Sequence, residues 1–232
     1  MRPPEPVVDA ATQLTYLHRP PQTDAGAPIL VLLHGVGSNE RNLWPLTAQI
    51  DPRFRVLSLR SAFQHGPDAY GWYRIQFTPQ GPVIDGHEAL ASRAMLLRFL
   101  RALPERYGIS ADQIFLFGFS QGCSMSYAVA LTEPETIGGL IGLGGRILPE
   151  TEADACAPNR LARLRAFVAH GAQDPVIPVE KARAARRYLE SSGVELEYRE
   201  YPAGHLIADV AAADALRWLH ATVLPSTTQA MA

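Results

Sequence analysis

The chain has 232 residues, 47% of them hydrophobic and 19% charged, and its 21 Lys and Arg nearly balance 23 Asp and Glu. This apolar content excludes a disordered chain. The missing basic excess argues against nucleic acid as a partner, because nothing in bulk would neutralise a phosphate backbone.

Residues 1–25 carry Pro3, Pro4, Pro6, Pro20 and Pro21 and lack the apolar stretch of a secretory signal. They read as an edge segment with one strand at 13–17. Apolar runs at 29–33 (ILVLL) and 55–59 (RVLSL) predict buried parallel strands. The segment 61–86, rich in polar residues, Gly and Pro, reads as a long loop able to act as a partial lid. A helix follows over 88–103, where Leu90, Ala94, Leu97, Leu100 and Leu103 form one stripe and Arg93, Arg98 and Arg101 fall off it. Strands are expected at 114–117, 140–143, 166–169 and 195–201, and further helices at 123–131, 179–189 and 206–219. The tail at 226–232 has no reason to be ordered. Such alternation implies an α/β chain with a mostly parallel, doubly wound sheet and helices on both faces, in a single domain spanning 1–232.

The strand at 114–117 runs into Gly118-Phe119-Ser120-Gln121-Gly122, a G-x-S-x-G between an apolar strand and a small-residue helix. In that setting a serine sits on a sharp turn with its Oγ exposed and a helix amino terminus behind it. A plain helix cap is the alternative for Ser120. A serine hydroxyl needs a base and a group to orient the base. Asp174 follows the strand at 166–169 and His205 follows the strand at 195–201, in the order Ser, Asp, His expected of an α/β-hydrolase. Carboxyl ends of parallel strands open on one edge of a sheet, so all three loops are expected to meet there. His34-Gly35-Val36-Gly37 follows the strand at 29–33, and the backbone N–H groups of Val36 and Gln121 are the expected oxyanion donors.

On these motifs the sequence resembles the carboxylesterase and acyl-protein thioesterase family, also called the phospholipase/carboxylesterase family, of α/β-hydrolases. The likeness rests on LLHGVGSNERNL (32–43), GWYRI (71–75), LFGFSQGCSMS (116–126), LPE (148–150), AHGAQDPVIPV (169–179) and YPAGH (201–205). It implies the α/β-hydrolase fold, Ser120 as nucleophile, His205 as base, Asp174 as its partner, and Val36 and Gln121 as oxyanion donors. Gly144-Gly145-Arg146 departs from the family, which commonly has Ser-Gly and then a neutral residue. Arg146 reads as a surface arginine, with recognition of an acidic substrate group as the alternative. Tyr73 follows Trp72 where the thioesterase branch usually has an acid, which moves weight toward the bacterial esterases.

The acyl pocket is expected to be walled by Trp72, Tyr73, Ile75, Leu148 and Ile177, of which Trp72 matches the family's pocket position. The expected activity is hydrolysis of short- to medium-chain carboxylic esters through an acyl-enzyme. An acyl-protein thioesterase or lysophospholipase acting on long chains is the alternative, and a non-catalytic binding protein a further one. No metal or cofactor is called for, since His87-Glu88 lacks a second helical histidine and Gly142-Leu143-Gly144 lacks a dinucleotide loop's third glycine. Two cysteines, Cys123 and Cys156, make neither a disulfide framework nor a four-ligand zinc site, and Cys123 reads as a buried small side chain. No uncharged apolar run approaches the roughly 18 residues of a spanning helix. The expected setting is cytoplasmic, without stable membrane insertion, with a small-molecule ester as partner and a monomer or homodimer as the assembly.

Overall fold

The computed structural model describes residues 3–78 and 81–224, so the tail at 226–232 lies outside the described residues. Two short strands come first, β1 (Val7–Val8) and β2 (Thr15–Arg19), followed by β3 (Ile29–Leu33) and β4 (Arg55–Leu59). Two hairpins come next: β5 (Phe63–Gly66) with β6 (Ala69–Gly71), and β7 (Ile75–Thr78) with β8 (Gly81–Ile84). Then follow α1 (Gly86–Tyr107), β9 (Ile114–Phe119), α2 (Gln121–Thr132) and β10 (Gly139–Leu143). The rest comprises α3 (Pro149–Ala153), α4 (Pro158–Leu161), β11 (Arg165–Gly171), α5 (Val179–Ser191), β12 (Glu195–Tyr201) and α6 (Asp209–Val223).

Eight strands form one sheet in the order β1-β2-β4-β3-β9-β10-β11-β12. β2 opposes both its neighbours, and the other pairs are parallel. Strands covered on both faces must be apolar at successive positions, which explains the ILVLL run of β3. Ile29, Val31 and Leu33 pack into one layer with residues of α1, α2 and α5. Leu30 and Leu32 pack into the other, with α6 and the segment 43–54. This is the α/β-hydrolase arrangement.

Four expectations are corrected in detail. The amino-terminal strand lies at 15–19 and is not at the sheet edge, because β1 pairs outside it. The long loop at 61–86 is built largely from the two hairpins. α6 begins at Asp209, so Leu206 and Ile207 remain in the loop after His205. α1 is longer than its stripe suggested: Asp85 caps it by accepting from the Glu88 N–H at 3.1 Å, and it closes at Gly108 in the left-handed region. The parallel strands all end at one edge, where the loops after β3, β9, β11 and β12 gather.

Candidate active site

β9 passes directly into Ser120, whose φ of 56° and ψ of −116° is a conformation a side-chain-bearing residue rarely adopts. The turn is held by the Ser120 N–H donating to the Leu143 carbonyl at 2.9 Å. Glycine is required on both sides for steric reasons. A Cβ on Gly118 would lie 2.3 Å from the Gly122 carbonyl oxygen, and one on Gly122 would lie 1.9 Å from the Leu33 carbonyl oxygen. The second clearance is against β3 rather than within the turn, so the elbow is wedged into the neighbouring strand.

His205 Nε2 lies 2.8 Å from Ser120 Oγ, and its Nδ1 lies 2.6 Å from Asp174 Oδ2. Asp174 is buried, and its Oδ1 accepts the Val176 and Ile177 amides at 2.8 and 2.9 Å. Burial by itself would raise this carboxyl. The His205 hydrogen bond and the two loop amides outweigh burial and hold Asp174 below its ordinary value. An ionised Asp174 accepts from His205 Nδ1–H, which leaves the Nε2 lone pair facing the serine hydroxyl. His170 backs the same loop: its Nε2 is 2.8 Å from the Ile177 carbonyl and 3.2 Å from Asp174 Oδ2. Because a carbonyl only accepts, the His170 proton sits on Nε2.

The loop after β3 passes close to the serine, since a Cβ on Gly35 would lie 3.2 Å from the Ser120 Cβ. His34 fixes its start. The ring accepts the Ser61 N–H at Nε2 (3.1 Å) and donates from Nδ1 to the Gly35 carbonyl (2.6 Å). Burial pushes His34 down to about 4, against a smaller opposing effect of the Gly35 bond, so the ring is neutral at pH 7. Among the described residues, the amides of Val36 and Gln121 donate to no acceptor in the chain. The Gln121 side chain does something that sequence reasoning missed. It accepts the Trp72 N–H at Oε1 (2.9 Å) and donates to the Tyr73 carbonyl from Nε2 (2.7 Å), tying the elbow to the segment before β7.

A cavity of about 180 Å³ opens over Ser120 and His205. Of the expected wall residues, Tyr73, Ile75 and Ile177 line it. Trp72 and Leu148 do not; each is 1% exposed and packed in the core. Trp72 lies behind the loop that follows β3 instead, donating from Nε1 to the His34 carbonyl at 2.9 Å. Residues not foreseen as wall also line the cavity: the Val36 side chain, Pro82, Phe119, Val176 and Arg146. Burial pushes the Tyr73 hydroxyl up to about 12, with the Ser124 hydrogen bond and the Arg146 charge pulling the other way. Cys123 is buried, and burial pushes its thiol up to about 12, which makes it a packing residue and not a nucleophile. Among the described residues no helix is long and apolar enough to cross a membrane.

Comparison with known proteins bears on the family and the fold. The phospholipase/carboxylesterase family model matches residues 20–223. The chain is 30% identical over 173 residues to the esterase YpfH of Escherichia coli, covering 71% of this chain and 69% of that protein. It is 27% identical over 175 residues to an acyl-protein thioesterase 1 of Kluyveromyces lactis, covering 70% and 76%. Among solved structures, a carboxylesterase from Mesorhizobium loti superposes with a TM-score of 0.77 at 24% identity, covering 92% of this chain and 98% of that one. The Bacillus cereus carboxylesterase gives 0.78 at 20% identity, covering 90% and 94%. With a strained serine elbow inside an α/β-hydrolase sheet and a family match over nearly its whole length, the chain belongs to the phospholipase/carboxylesterase family and is an ester-hydrolysing enzyme.

Proposed function

We propose that the enzyme hydrolyses short- to medium-chain carboxylic esters through an acyl-enzyme on Ser120. The observation that carries this reading is the unbroken chain Ser120 Oγ, His205 imidazole, Asp174 carboxylate, at 2.8 and 2.6 Å. His205 Nε2 takes the hydroxyl proton as Oγ attacks the ester carbonyl, and Asp174 holds the Nδ1–H tautomer and stabilises the imidazolium. The free amides of Val36 and Gln121 receive the negative charge of the tetrahedral oxygen. Collapse breaks the carbonyl–alkoxy bond, and His205 returns its proton to the departing alcohol. Water, deprotonated by the same nitrogen, then releases the acid and restores Ser120.

Chain length follows from the cavity. About 180 Å³ is below the roughly 300–1,000 Å³ of typical ligand pockets and favours a small acyl group. A second reading, long-chain or thioester cleavage, draws support from exposed Val36 and Val176 on the cavity wall and from the acyl-protein thioesterase relatives. Two free thiols fit a reducing, cytoplasmic setting. The test is hydrolysis of p-nitrophenyl esters from two-carbon to sixteen-carbon acyl chains, with Ser120→Ala as control. The expected result is an optimum at short or medium chains that falls by at least about 10³-fold in the variant. An optimum at the longest chains selects the second reading, and turnover that survives the substitution overturns the site.

A further inference from the structure

We infer that Arg146 recognises an anionic group on the substrate, so that the preferred esters carry a carboxylate a few bonds from the scissile carbonyl. The inference rests on ester hydrolysis at Ser120 and names the class of ester.

Away from Ser120, Gln121, His205 and the Tyr73 hydroxyl the cavity wall is apolar, made by Val36, Ile75, Pro82, Phe119, Val176 and Ile177. A plain acyl chain would be served by such a wall throughout. Arg146 nevertheless lines it, half-buried, and among the described residues no carboxylate lies within ion-pairing distance of its guanidinium. Many other arginines are ion-paired, such as Arg60 with Glu40, Arg74 with Glu88 and Arg183 with Glu200; half-buried Arg19 and Arg165 bond backbone carbonyls, and Arg98, Arg163 and Arg187 are exposed to water. A cation that is partly withdrawn from water without a partner is costly, and an incoming anion removes that cost.

The position of Arg146 is also built. Its N–H donates to Ser124 Oγ at 3.3 Å, which anchors it to the second turn of the helix behind Ser120. Gly145 before it packs directly on Cys123, where a Cβ would lie 2.5 Å from both Cβ and Sγ. Ser124 is also the partner of the Tyr73 hydroxyl, itself buried in the cavity wall. Arg146 and Tyr73 therefore make one polar corner of the chamber that also holds Ser120, with the buried Ser124 behind them. A planar guanidinium suits a carboxylate, which it can grip through two parallel hydrogen bonds. The chamber of about 180 Å³ holds roughly six water-sized groups, so the anion can be only a few bonds from the carbonyl.

The experiment compares two substrate pairs on the full chain by titrating released acid. Monoethyl glutarate against ethyl pentanoate places the carboxylate on the acyl side; carboxymethyl butanoate against propyl butanoate places it on the alcohol side. The expected result is a kcat/KM preference for the acidic member of one pair by about 10- to 100-fold, a range set by one charge-assisted contact. That ratio should fall to near or below one in Arg146→Met, keep part of its value in Arg146→Lys, and decline in the wild-type enzyme as salt rises from about 0.05 to 0.5 M. No preference in either pair, or a preference that persists in Arg146→Met, overturns the inference. Neutral esters that show Ser120-dependent turnover keep the hydrolase reading intact in that case, whereas no Ser120-dependent turnover of any ester removes both.

Discussion

Asp174 divides its two oxygens between separate tasks, one holding the loop through the Val176 and Ile177 amides and the other holding the tautomer of His205. Asp174→Asn separates them. The amide oxygen can still accept the loop N–H groups, but its NH₂ now faces His205 Nδ1 and forces the proton to Nε2, where the base is needed. The expected outcome is a fall in kcat of about 10⁴-fold with a nearly unchanged unfolding midpoint, checked by kinetics and thermal melting side by side. Ser120, Asp174 and His205 were legible because each follows a recognisable strand and their order is chemically constrained. Trp72 was misplaced: its Gly- and Pro-rich loop and its match to the family's pocket position suggested a cleft wall, yet its indole N–H finds a buried acceptor in the His34 carbonyl, which no local pattern announces. The Gln121 side chain was hard for the same reason, since its partner Tyr73 lies 48 positions away along the chain, whereas Arg146 drew notice through its departure from the family pattern.

The elements differ in how plainly they are written. β3, β9, β10 and β11 are buried along nearly their whole length, so apolar runs betray them. The hairpins do not show this. β5 reads FQHG and β8 reads GPVI, four residues each with Gly or Pro among them and no alternation, and among the described residues each pairs only with its hairpin partner. The elbow is the most constrained junction. Gly122→Ala drives a methyl group into the Leu33 carbonyl on β3 and is expected to cost at least about 3 kcal/mol by urea denaturation. Gly66→Ala serves as the comparison: its Cβ would meet only the Ala69 side chain at 3.8 Å, and the expected loss is within about 1 kcal/mol.

At the scale of the whole molecule, acid should weaken the fold in two stages. Burial holds His34 down to about 4 and also lowers His18 and His220. Below pH about 6.5 the unfolded chain binds protons that the folded chain refuses, so stability rises with pH in this range and is lost as pH falls toward 4. His34 alone accounts for roughly 3 kcal/mol of that loss. Asp51 and Glu200 are held down to about 2, chiefly by hydrogen bonds from Arg53 and Arg183, and Asp174 is lowered as well. Their contribution is present above the ordinary carboxylate range and disappears only as pH falls through their folded values. Urea midpoints measured across pH should therefore decline first between 6.5 and 4, and His34→Asn should flatten its share of that first decline while leaving the second.

The sheet order also has a consequence in time and temperature. Ser120 follows β9, which is paired on both sides, by β3 and β10, whereas His205 follows β12, which among the described residues pairs only with β11 at the sheet border. Peripheral strands loosen at lower free energy than central ones. On gentle heating His205 should drift from Ser120 while the middle of the molecule is still intact. Turnover is then expected to fade several degrees before circular dichroism registers melting, and to return promptly on cooling. Coincident loss of both signals would mean that the border strand is as firmly held as the centre.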